Sequence, residues 1–116
     1  RAVQFNSDSG NNYQTNQAFI IANAVTDAQL TNQAQLRLDA SSADADAGTF
    51  QIAIGNHASV NKGVRIDGVR ADAGSTDRFF GGGIWANAVD QVTTVAFILE
   101  AAGNYNSGSR AWCEGR

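Results

Sequence analysis

The chain has no proline and no methionine, and only one cysteine and one histidine in 116 residues. Without proline, its turns must be set by glycine, asparagine, aspartate and serine, which reach turn backbone at low cost. With Cys113 as the only cysteine, no disulfide can form within the chain, and a zinc site built from several thiolates is excluded. Cys113 reads as a small apolar residue of a final strand. Charge is scarce too: 16% of residues are charged, the net charge is −3 and the isoelectric point is near 4.8. No basic patch is present to neutralise phosphates, so nucleic acid is not an expected partner. No apolar run approaches the roughly 20 residues that a membrane-spanning helix needs, so no membrane is expected either. No leader segment is visible, and the chain opens at Arg1 rather than methionine, which leaves residues ahead of Arg1 open.

What is present suits one domain, 1–116. Apolar residues recur with period two. In "QLRLDA", Leu36 and Leu38 oppose Arg37 and Asp39; in "FQIAIG", Phe50, Ile52 and Ile54 share a face; in "VRIDG", Val64 and Ile66 oppose Arg65 and Asp67. Each pattern predicts a strand with one buried and one wet face. "AFIIA" and "VAFIL" are apolar on both faces and need cover on both sides, from loops of the same sandwich or from another chain. About eight strands are expected, near 2–6, 16–24, 33–40, 49–56, 60–67, 77–86, 92–101 and 109–115. The connectors "NSDSGNN", "SSADADAG", "ADAGST" and "GNYNSGS" are turn-forming text. A short helical turn near 25–33 competes with this, because Ala, Gln and Leu there are good helix formers. Short strands with regular turns predict an all-β sandwich or jelly roll.

The ending carries a resemblance. Trp85, Asn87, Val92-Thr93-Thr94-Val95, Gly103-Asn104-Tyr105 and Ser107-Gly108-Ser109-Arg110 follow in order a pattern that resembles the C-terminal part of a family of tailed-phage virion proteins. The opening is similar more loosely, through Tyr13 and the Leu36–Leu38 strand. Two departures stand out: the last strand reads "WCEGR" where the family has an apolar-Tyr-Gly segment, and "DADAGTFQIAIGNHASV" has no counterpart. The resemblance implies an antiparallel jelly-roll (TNF-like) β-sandwich, assembled as a homotrimer on the virion surface. There it would act as a capsid decoration protein bound to the major capsid protein, or as a tail or fibre module. A threefold assembly would cover the second faces of "VAFIL" and "RFFGG". On strand patterning, the candidate subunit-interface residues are Ile20, Phe79, Trp85, Phe97, Ile98 and Trp112.

Chemistry-bearing motifs are few. His57 has no nucleophile motif around it, although Ser59 and Ser109 are in the chain; an exposed turn residue is the expectation. Asp44 and Asp46 in "DADAG" open like an oxygen-ligand calcium loop, but Gly55 stands where the terminal Glu belongs. With Asp39 they read as a solvated acidic turn, and no metal or cofactor is expected. "GGG" at 81–83 lacks the Lys-Ser/Thr of a phosphate loop and reads as a bulge or close backbone approach. Tyr13, Trp85, Tyr105 and Trp112 are residue types that sugar sites use; Tyr105, in an expected turn, is the candidate contact to a host surface glycan. No enzyme activity is expected. The leading expectation is a decoration protein, and the alternative is a receptor- or glycan-binding module.

Overall fold

The computed structural model describes residues 1–21, 23–39, 48–72, 75–99 and 108–115. Among these, all regular structure is β, in two antiparallel sheets. The strands are β1 (Ala2–Phe5), β2 (Tyr13–Ile21), β3 (Ala24–Gln33), β4 (Leu36–Arg37), β5 (Gly48–Ile54), β6 (Lys62–Asp72), β7 (Ser75–Trp85) and β8 (Val95–Ile98). One sheet has the order β4-β1-β8, the other β3-β2-β7-β6-β5.

The helical turn expected near 25–33 is instead strand β3. Pairing decides it: Ile21 lies opposite Ala24 across a turn in which Asn23 takes a φ of 67°, and the hairpin then zips from Ile20↔Val25 to Thr15↔Leu30. The expected strand 109–115 does not form; residues 108–115 carry no strand and are exposed. Its apolar content, Ala111 and Cys113 against Trp112 and Glu114, offers too little one-sided surface to hold an edge position.

Inward-facing side chains of both sheets make the core. Phe5, Tyr13 and Trp85 are fully buried, with Phe5–Trp85 ring centres 5.6 Å apart and Tyr13 stacked on Trp85 at 6.5 Å. Each polar edge of this cluster is satisfied, as burial demands. The Trp85 indole N–H donates to Asp8 Oδ2 at 2.7 Å. The Tyr13 hydroxyl accepts from the Phe5 N–H at 2.9 Å and donates to the Asp8 carbonyl at 3.1 Å. Buried Lys62 donates to the carbonyls of Val60 and Asn87 at 2.6 and 2.8 Å, with its Nζ 5.8 Å from the Trp85 ring centre.

At the other end, Phe19, Phe50 and Phe79 meet, with centroids 5.8 Å apart for Phe19–Phe79 and 6.1 Å for Phe50–Phe79. Beside them Arg70 pairs with Asp77, and Asp39 accepts from the Arg1 main-chain nitrogen at 2.6 Å and the Arg1 guanidinium at 3.0 Å. Alternation places Asp39 on the wet face; it is buried because these cations enclose it.

Asparagine supplies the turn chemistry that proline does not. Asn6 (φ 52°), Asn23 and Asn32 (φ 54°) take left-handed backbone. Asn6 and Asn56 also clamp 91–94: Asn6 Oδ1 accepts from the Thr93 and Thr94 N–H groups, and Asn56 Oδ1 from Val92 N–H at 2.6 Å. That clamp, rather than strand pairing, holds the start of the expected strand 92–101.

Candidate functional site

Successive strand residues face opposite sides of a sheet. In β7 the pattern puts Asp77, Phe79 and Trp85 into the core and leaves Arg78, Phe80, Gly82 and Ile84 on the outer face of the five-stranded sheet. The registers fix the rows. Phe80 lies between Ala18 and Asp67, Gly82 between Asn16 and Arg65, and Arg78 between Ile20 and Val69. No element among the described residues covers this face: Phe80 is 41% exposed, Ile84 40% and Val69 39%, and Val25, opposite Ile20, is 72% exposed. Amides from Gln14, Asn16 and Gln29 border the apolar groups.

The glycine run shapes the middle of the face. A Cβ on Gly82 would come within 2.4 Å of the Val64 carbonyl oxygen, and one on Gly81 (φ 150°) within 2.3 Å of that of Asn16. The close backbone approach expected for "GGG" is therefore present, and the row at Gly82 is a hollow. One groove of about 530 Å³ runs over Gly82 between Asn16 and Ile84; a second of about 540 Å³ lies beside Phe80 between Ile20 and Arg65. Arg65 and Asp67 make no ion pair or side-chain hydrogen bond among the described residues.

The expected interface residues separate. Phe79 and Trp85 are corrected: both are fully buried within the chain, Phe79 between Phe19 and Phe50 and Trp85 against Phe5. Neither is available to a partner. Ile20 is half-buried on the outer face beside Arg78. Phe97, 41% exposed, and half-buried Ile98 lie on β8 of the smaller sheet, and Trp112 is 77% exposed outside any strand. The glycan candidate Tyr105 and the acidic pair Asp44 and Asp46 lie outside the described residues. Phe80 and Ile84 are not among the expected site residues; their signal is the parity of "RFFGGGIW", which puts them opposite Phe79 and Trp85, while Arg65 and Asp67 lie on the wet face that "VRIDG" predicts.

Catalytic chemistry finds no assembled apparatus among the described residues. His57 is exposed in the loop after β5, with Nδ1 2.6 Å from the Ala58 carbonyl oxygen. No group of three or more His, Cys, Asp or Glu among the described residues could hold a metal ion. The perturbed groups belong to the core: the Trp85 indole, donating to Asp8, holds that carboxyl below its ordinary value, and burial pushes the Tyr13 phenol up. No family model, curated protein or solved structure matches the chain.

Proposed function

We propose that this chain is a non-catalytic structural module, a jelly-roll-type homotrimer that decorates a phage particle by bridging neighbouring capsid subunits. The carrying observation is apolar surface that one copy leaves uncovered, chiefly Phe80, Ile84 and Val69 on one sheet face. Exposed apolar patches of this kind mark interaction surfaces. The resemblance of the chain's ending to virion proteins supplies the particle; Phe97, Ile98 and Trp112 supply a second surface for the trimer. Contact of about 1,000 Å² or more per site, repeated over a shell, would give stable attachment through avidity.

A second reading, a glycan- or receptor-binding module of a tail or fibre, is favoured by the half-exposed Phe80 ring beside the polar groups of Arg65 and Asp67. One experiment separates the two. Purified particles mixed with the protein should bind it stoichiometrically at the head and resist heat and low salt better. Binding to a glycan array that is lost in Phe80→Ala, without head binding, would replace the first reading with the second. Light scattering tests the trimer: the mass should be a multiple of three chains of 12.2 kDa.

A further inference from the structure

We propose that two copies of this chain stack through the outer faces of their five-stranded sheets about a two-fold axis. Each Phe80 then seats over the partner's Gly82, and each Arg65 pairs with the partner's Asp67. This inference stands on the face itself and needs neither the phage particle nor the trimer; a pair stacked in this way covers Phe80, Ile84 and Val69, so it must open before that face can meet a capsid.

The register carries it. Phe80 and Asp67 share one row, Gly82 and Arg65 the next, on neighbouring strands β7 and β6. In a two-fold contact, if residue i meets residue j, then j meets i. An axis in the plane between the sheets, running across the strands midway between these rows, exchanges 80 with 82 and 65 with 67. One operation thus places the Phe80 ring over Gly82, where the face carries no side chain, and cation over anion, twice each. The same operation sets Asn16 over Ala18 and Gln14 over Ile20 on β2, and the Arg78 stem over Ile84 on β7. Two other placements are worse. An axis on the Phe80 row sets Asp67 against Asp67, and an axis along β7 sets Arg78 against Arg78 and Phe80 against Phe80.

Size agrees. Stacked sheets sit about 10 Å apart, the space that interdigitating side chains fill. The groove over Gly82 holds about 530 Å³, and a cavity of about 150 Å³ already accepts a benzene ring. Five strands about 4.8 Å apart, over four rows about 6.8 Å apart, give a footprint of roughly 600 Å² per copy. The total of roughly 1,200 Å² from both copies passes the ~1,000 Å² that a specific contact needs. Charge complementarity is built in, because Arg65 and Asp67 have no competing ion pair among the described residues.

The test is a charge swap read by sedimentation over a concentration series. Wild type should self-associate. Arg65→Asp and Asp67→Arg, each setting like charges against one another, should each weaken the association about tenfold or more. The double variant Arg65→Asp/Asp67→Arg should restore it. Both positions lie on the uncovered face, so far-UV circular dichroism should show the same β spectrum in all four proteins. Phe80→Ala, which empties the hollow without changing charge, should weaken association as well. Wild type that stays monomeric at high micromolar concentration, single reversals that associate like wild type, or a folded double variant that does not recover would each overturn the inference. The single reversals leave the other surface untouched. Failure of the trimer therefore appears as a one-chain mass in them, and failure of this contact appears as absent recovery in the double variant.

Discussion

Asp8 accepts hydrogen bonds from the Trp85 indole at 2.7 Å, Asn12 Nδ2 at 3.0 Å and the Gly10 N–H at 2.9 Å. These donors favour the carboxylate, the indole most, and hold the group below its ordinary value of 3.8. A carboxyl with a depressed folded pKa stabilises the fold above its unfolded pKa, and that stability is lost as pH falls through the folded one. Tyr13 has the opposite sense: burial raises its pKa above 10, so its contribution is complete below pH 10 and drains away as pH climbs beyond it. Stability should therefore drop on both sides, below about pH 4 and above about pH 10. Asp8→Ala leaves the Trp85 N–H without its acceptor inside a buried cluster, at a cost of about 1–3 kcal/mol. It should also flatten the acid limb while leaving the alkaline limb in place. Denaturant midpoints across pH check both; an unchanged acid limb in Asp8→Ala would mean that the indole bond does not set the titration.

Strand β7 shows what a glycine run does to the element around it. Gly83 faces inward, and a Cβ there would lie 2.3 Å from Leu36 Cδ1 and 2.2 Å from the Gln14 carbonyl oxygen. Leu36, from the short strand β4 of the opposite sheet, occupies the room that Gly83 leaves. Leu36→Ala should therefore open a cavity that Gly83 has no side chain to fill, and cost about 3–5 kcal/mol in chemical denaturation, near the top of the usual range. Period two made part of this legible in the sequence: the strands near 49–56 and 60–67 follow from alternation, although β6 runs on to Asp72. Which face of "RFFGGGIW" turns inward did not follow, because Leu36, Phe19 and Phe50 decide it from three other strands. Strand β3 was ambiguous because Ala, Gln and Leu suit helix as well, and only pairing with β2 settles the matter. Asp39 reads as exposed until Arg1 and Arg70 arrive from far along the chain. The candidate face was half-legible: its second apolar side was expected, but its charges and its central hollow are properties of register between strands.

Across the whole molecule, the small sheet is closed by its most distant segments. β1 pairs with β8 from Ala2↔Ile98 to Phe5↔Val95, whereas β6 and β7 pair as neighbours through eleven aligned residue pairs. Bringing distant strands together must overcome loop-closure entropy before contacts repay it, so such pairings form slowly and late. The β6–β7 hairpin should therefore be organised in the folding transition state, and the β1–β8 seam should not. This puts the lifetime of the folded chain in the seam, because interactions absent from the transition state set the unfolding rate. Val3→Ala, in the buried centre of β1, should cost about 2 kcal/mol. Nearly all of that should appear as faster unfolding, about 30-fold, with little change in folding rate. Ile66→Val, at the heart of the hairpin, should cost about 1 kcal/mol and slow folding by most of that amount. Stopped-flow folding and unfolding arms for the two variants decide the order. A Val3 variant that slows folding more than the Ile66 variant, relative to its loss of stability, would place the seam first and move the source of kinetic persistence to the large sheet.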